Sequence, residues 1–473
     1  MTDTTQLIPN NLAVTSDLDY RLKPSAPRSR SYRASILPSN KNTFNPTDTA
    51  IMYVPGGRRN TYLDCSQSYI RMTLKNTDAT GVFRLDGSAN CMINRLDVFH
   101  GSNLLETIQT YNILSSYILD MQLSQSQRAP LANIYGFNDT TVAAVAGAVG
   151  PPVVVAVGAQ TPGDRSGATI ETAGGQQTFC LPIFSGVVGV LSDKMLPLGL
   201  LADDIRLEFT FESMATGVVQ TVANTSAGVC QILDFQLQLT IVELSDEGES
   251  MVRSNTQYPQ MPLYLHGCSW RHYMSQLPAS AGGFSTLVPA RFASLKQIAC
   301  LPRRSTENNS ATAYSISSRI NPNFSNYSWR IGSSMLPSKP VYLENSGNTG
   351  GYGEAYAELL KSWHALHATS YSSCLAIEYQ VADAAVALCP QKNASTAANQ
   401  LTNSHLNGFC IAQELESFAQ RSDVLLSGMN TLSSQIFFEA NIITAPTVPY
   451  SLDFFALYDH IMVIDQGIIS IKY

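Results

Sequence analysis

Seven histidines, at positions 100, 266, 272, 364, 367, 405 and 460, are where metal or acid–base chemistry would first show. A strand puts residues two apart on one face, so H-x-H, H-x-D or H-x-E would mark a cupin-like or facial-triad metal site. None of the seven has such a partner two places on. His364 and His367 are one helical turn apart, but no H-E-x-x-H and no third ligand accompany them, so one is expected beside Trp363 and the other in solvent. Gly267-Cys268-Ser269-Trp270-Arg271 approaches a G-x-S-x-G nucleophile elbow, yet Arg ends it and the run reads as a strand. Gly351-Tyr352-Gly353 lacks the third glycine of a dinucleotide loop and reads as a helix start. Gly56-Gly57-Arg58-Arg59 fits a phosphate catch and a plain turn equally well. Asp203-Asp204 and Asp246-Glu247 are neighbours that a strand would aim at opposite faces, unable to flank one bond. The nine cysteines (65, 91, 180, 230, 268, 300, 374, 389, 410) form no C-x-x-C pair and read as reduced core residues. The expectation is no catalytic residue, no metal and no cofactor.

The elements that carry these residues are mostly strands. In 205–212 and in 233–241 apolar and polar side chains alternate, as do Ile70, Met72 and Leu74. Gly, Pro and Asn interrupt such runs often, which favours antiparallel sandwiches over an α/β fold. Two helices stand out by three- and four-residue spacing, at 111–123 and 354–367. Residues 1–50 lack periodicity and read as a flexible arm with a basic cluster of Arg21, Lys23, Arg28, Arg30 and Arg33. The segments 136–177, 305–326 and 391–407 read as long loops, and the polar stretch 247–261 as a tether.

At 473 residues the chain is long enough for two domains. Charged residues make up only 14%, against about 25% in an average globular protein, which hints at surface covered by other subunits. A net charge of -7 removes any global field for nucleic acid. The first twenty residues contain no secretory apolar run, and the apolar stretch 142–158 is broken by Pro151-Pro152, so a soluble chain is expected.

Internal similarity divides the chain. Leu233-Asp234-Phe235 recurs as Leu452-Asp453-Phe454, with a Gly fourteen residues after each Asp, at 248 and 467. Phe179-Cys180-Leu181 is echoed by Phe409-Cys410-Ile411, and Phe211-Glu212 by Phe438-Glu439, in the same order. Two sandwiches are therefore expected, at 51–246 and 262–473.

A duplicated sandwich with a basic arm, a helix midway through each copy and a last strand at the terminus resembles the double jelly-roll major capsid proteins. The segment Asn90-Cys91-Met92-Ile93-Asn94-Arg95-Leu96-Asp97-Val98-Phe99-His100-Gly101, leading through Leu105-Glu106 into Tyr111-Asn112-Ile113-Leu114, carries much of the likeness. It is most similar to the capsid proteins of polinton-like viruses, virophages and related eukaryotic DNA viruses. The resemblance implies an all-β fold of two tandem eight-stranded antiparallel jelly rolls with short helices in the connections. It also implies a non-enzymatic role as a homotrimer, a pseudo-hexameric capsomer that tiles an icosahedral virion shell assembled inside the host cell. Neighbouring capsomers and penton and minor capsid proteins would be its partners, with an internal membrane a further candidate and no sequence-specific nucleic acid. The basic cluster would face the inner surface. The rival readings are a viral fibre or lectin-like attachment protein, with Trp270, Trp329 and Trp363 exposed in a groove, and a glycan-processing enzyme, with Asp203, Asp204, Glu243 and Glu439 converging.

Overall fold

Alternating burial defines the strands: in Ile205–Phe211 every second side chain, from Ile205 to Phe211, is buried and those between are half-buried. The computed structural model describes residues 26–77, 83–137, 143–144, 154–155, 167–170, 174–213, 218–220, 230–308, 314–343, 353–366, 374, 408–418 and 425–473. Eight principal strands make the first half: β1 (Ser29–Ile36), β2 (Thr49–Val54), β3 (Thr61–Asn76), β4 (Ile93–His100), β5 (Asn103–Ile108), β6 (Gln176–Pro182), β7 (Ile205–Phe211) and β8 (Cys230–Leu244). They pair antiparallel in two sheets, ordered β1-β8-β3-β6 and β2-β7-β4-β5.

The second half repeats this order strand for strand. Its members are β9 (Leu263–Leu277), β10 (Gly283–Val288), β11 (Leu295–Arg304), β12 (Phe324–Ile331), β13 (Ser334–Tyr342), β14 (Ile411–Glu414), β15 (Ile436–Ile442) and β16 (Tyr450–Asp465). The sheets run β9-β16-β11-β14 and β10-β15-β12-β13, and a last strand, β17 (Ile468–Lys472), folds back on β16. Each half is thus an eight-stranded jelly roll, the fold class that the sequence resemblance implied. The matched motifs fall on matched strands: Leu181 and Ile411 on β6 and β14, Phe211 and Phe438 on β7 and β15, Leu233 and Leu452 on β8 and β16.

Helices α1 (Tyr111–Gln122) and α2 (Gln125–Tyr135) follow β5, α3 (Asp246–Thr256) joins the halves, and α4 (Gly353–Ser362) follows β13, the counterpart of β5. Aromatic side chains fill each core. Phe211 meets Phe44 at 5.4 Å and Phe235 at 5.0 Å between ring centroids in the first, and Phe438 meets Trp329 at 4.8 Å and Phe454 at 5.6 Å in the second. Among the described residues no helix is long and apolar enough to cross a membrane.

Three expectations need correction. The arm does not extend to residue 50: β1 lies inside it and pairs with β8 from Ser29↔Leu244 to Ile36↔Leu237. Only Tyr32, Ala34 and Ile36 of this edge strand pack on the core, so Arg30, Ser31 and Arg33 hid its period. The tether is mostly a helix: Ser245 caps α3 by accepting the Gly248 amide at 3.2 Å, and Asp246, Glu247 and Glu249 favour its first turn. Gly248 therefore sits in a helix while Gly467 sits in a hairpin at φ 83, so that equal spacing was coincidence. Finally, residues 314–323 of the supposed polar loop are all buried. Most of 136–177, all of 391–407, and Arg21, Lys23, His367, Cys389 and His405 lie outside the described residues.

Candidate functional site at the seam between the jelly rolls

The buried 314–323 segment identifies the polar surface that joins the two rolls. Asp86, in the turn before β4, accepts the amides of Ser315, Ile316 and Ser317 at 2.8, 2.9 and 3.0 Å. Glu106 on β5 accepts the Ser185 and Ser269 hydroxyls and, at 3.1 Å, the Gly186 amide; burial pushes its carboxyl pKa up. Asp120 on α1 pairs with Arg128 on α2 and with Arg319 of the second roll. Nearby, the Tyr117 hydroxyl accepts Trp363 Nε1 at 2.8 Å and Gln297 Nε2 at 3.0 Å, and Trp363 stacks on Trp270. Close approach of the backbones requires glycine: a Cβ on Gly186 would lie 2.2 Å from the Cys268 carbonyl oxygen, and one on Gly267 2.6 Å from that of Gly186. His100 also bridges the rolls, its Nδ1 accepting the Ile469 amide at 3.3 Å.

Next to this glycine contact the structure gathers titratable groups that the local spacings missed. On β9, His266 and Cys268 share a face, and Cys268 is in register with Asp459 on β16. His266 Nε2 lies 3.0 Å from Asp459 Oδ1, and its Nδ1 lies 2.6 Å from Asp193 Oδ2, in the loop after β6. Cys268 Sγ is 3.3 Å from Asp459 Oδ1, and the Ser294 hydroxyl donates to Asp459 Oδ2 at 2.6 Å. Lys296 on β11 pairs with Glu416 at 2.8 Å and lies 3.7 Å from Asp459 and 3.9 Å from Cys268 Sγ. Burial opposes ionisation of Asp459, yet hydrogen bonds from His266 and Ser294 and the Lys296 charge hold its pKa below the ordinary range. The same contact with Asp459 raises the pKa of His266, and burial raises that of the Cys268 thiol. Burial also pushes His460, on the opposite face of β16, down to about 4. Sequence reading overlooked the cluster because its signal is H-x-C, and its carboxylate lies 193 residues beyond His266.

A second cluster borders the first. His364, just past α4, lies 3.5 Å from Glu414 and 3.2 Å from Glu416, two carboxylates on one face of the β14 run. The third ligand that the sequence did not supply for His364 is therefore present in space, although its expected neighbour Trp363 is packed as anticipated. Burial raises the pKa of Glu414.

The remaining sequence candidates disperse. Arg30 donates to Glu243 at 2.8 and 3.0 Å, Arg33 donates to the Tyr69 hydroxyl at 3.0 Å, and Arg28 is exposed just before β1. Asp203 and Asp204 occupy an exposed turn, where Asp204 Oδ1 accepts the Gly56 amide at 2.9 Å, and Glu439 on β15 of the second roll pairs with Arg330 on the adjacent strand β12. These four carboxylates do not converge. Trp270 and Trp329 are buried, so no aromatic groove forms from the three tryptophans. Ser269, the nucleophile of the near-elbow, is buried in mid-strand against Glu106.

This architecture has solved counterparts. PBCV-1 VP54, fitted into a reconstruction of the virophage Sputnik, is similar at a TM-score of 0.58 with 9% identity, covering 96% of this chain and 98% of that one. The mavirus major capsid protein is similar at 0.53 with 10% identity, covering 100% and 95%. For the Faustovirus major capsid protein the values are 0.52 and 8%, with 94% and 92% covered. The chain therefore has the double jelly-roll fold. No family model matches it, and no curated protein matches its sequence.

Proposed function

We propose that the chain is the major capsid protein of an icosahedral virus, a structural subunit without enzymatic activity. The observation that carries this reading is the same strand order in two rolls locked by buried cross-seam contacts, along chains whose full-length structural counterparts are capsid proteins. A rigid pair of rolls supplies two of six similar corners, and three copies complete a pseudo-hexagonal block able to tile a shell. Closed three-fold assembly also accounts for the low charge, since charged residues are depleted at interface cores. Neighbouring capsomers, penton and minor capsid proteins, and an internal membrane where the virion has one, are its partners. Arg28, just ahead of the edge strand β1, and Arg30 and Arg33 on it, with Arg21 and Lys23 earlier in the chain, are the inner-surface contacts of this reading.

Mass photometry of the purified chain, with negative-stain imaging of the dominant species, is the test. The expected result is a particle of three times 51.4 kDa with a hexagonal outline. A two-lobed monomer at every concentration tried would overturn the reading.

A further inference from the structure

We propose that His266, Cys268 and Asp459 form a binding site for one divalent metal ion of the zinc class, set at the seam between the rolls. The site does not depend on the capsid reading. Their ligand atoms lie within 4.8 Å of one another. A tetrahedral zinc ion with ordinary bond lengths separates its nitrogen and oxygen ligands by about 3.4 Å and its sulfur and oxygen ligands by about 3.6 Å. The structure places the corresponding atoms at 3.0 and 3.3 Å. A small outward shift of each side chain admits the ion.

The supporting groups fit a metal site as well as the ligands do. Metal-bound histidines characteristically donate their other ring nitrogen to a carboxylate, which fixes the tautomer. Asp193 stands 2.6 Å from His266 Nδ1 and leaves Nε2 for the ion. Ser294 donates to Asp459 Oδ2, which leaves Oδ1 as the ligand oxygen. The backbone register fixes the geometry, because β9 and β16 are adjacent strands and Cys268 opposes Asp459 directly. A set of imidazole, thiolate and carboxylate selects zinc or its mimic cobalt over magnesium and calcium, which prefer oxygen alone. Binding releases the thiol proton of Cys268, and that thiolate with Asp459 balances the charge of the ion.

Lys296 is the competing cation. Its nearest partner is Glu416, and it stands too far from Asp459 for a good hydrogen bond. It occupies the fourth side of the cluster without saturating it, so Lys296→Met should tighten metal binding.

The experiment uses the full chain, stripped of metal by dialysis against a chelator and titrated with Co2+. The expected result is saturable uptake of about one ion per chain with the near-ultraviolet sulfur-to-cobalt charge-transfer band that only a thiolate ligand gives. Excess Zn2+ should abolish the band. Cys268→Ser should remove it, and His266→Asn should weaken uptake tenfold or more. Should Cys268→Ser fail to fold, peptide-mapped alkylation of the wild-type chain gives the same answer: Zn2+ should protect Cys268 and leave the partly exposed Cys180 reactive. The proposal is overturned by no saturable uptake, by a band that persists in Cys268→Ser, or by equal alkylation of Cys268 with and without Zn2+. Uptake without the band that disappears in His364→Asn also overturns it, since the ion then lies at Glu414 and Glu416.

Discussion

Asp86 concentrates more of the seam on one side chain than any other residue described above. Its two oxygens take three amides and the Ser317 hydroxyl from a segment about 230 positions later in the chain. Asp86→Ala leaves those buried donors without acceptors, and a single buried unsatisfied group costs about 1–3 kcal/mol. The expected loss is about 3 kcal/mol or more, read as a lower denaturant midpoint, with the two rolls unfolding in separate calorimetric steps. His100 provides a pH-dependent counterpart. Burial holds its imidazole pKa below the usual value, with Asp203 opposing, while the unfolded chain titrates near about 6.5. The unfolded state therefore binds the extra proton first, so the His100 contribution is fully present above about 6.5 and is lost as pH falls through the lower folded-state value. His100→Gln keeps an acceptor for the Ile469 amide and should flatten the difference in stability between neutral and mildly acidic buffer relative to the wild type. An unchanged pH profile would count against this role for His100.

At the scale of elements, strands with one buried face were legible and those with a mixed face were not. β8 announces itself because Leu237, Leu239 and Ile241 alternate with polar residues, and α1 because Tyr111, Leu114, Tyr117, Ile118 and Met121 make one stripe, all of them buried. β1 stayed hidden because an edge strand needs only half an apolar face, and its Arg and Ser residues carry the signature of an arm. The buried 314–323 segment stayed hidden for a different reason: Ser317, Arg319 and Asn323 find partners far away in sequence, and composition alone reads them as solvated. The metal-type cluster belongs to the same class, assembled from three strands and a loop. The correction at β1 has a direct test. Deleting residues 1–25 leaves every described strand intact and should not change the melting temperature. Deleting 1–36 uncovers the edge of β8 and should produce aggregation and a melting temperature several degrees lower, on the scale of about 2–4 °C per kcal/mol for domains of this size. Equal behaviour of the two truncations would contradict a structural role for β1.

Across the whole molecule the two rolls share a strand order but have ceased to be interchangeable. The first supplies the acids of the seam, Asp86, Glu106 and Asp120, and the second supplies the amides, Ser269 and Arg319 that answer them. This asymmetry sets a clock during synthesis. When the last strand of the first roll has been synthesised, the amides that Asp86 requires are still some seventy residues from being made, which is about 4–15 s at ordinary elongation rates. Through that interval the nascent first half carries a carboxylate whose partners do not yet exist, and it stays open at the face that the second half will close. The halves are thus completed as a pair, at one moment late in translation, rather than as two finished beads joined by a string.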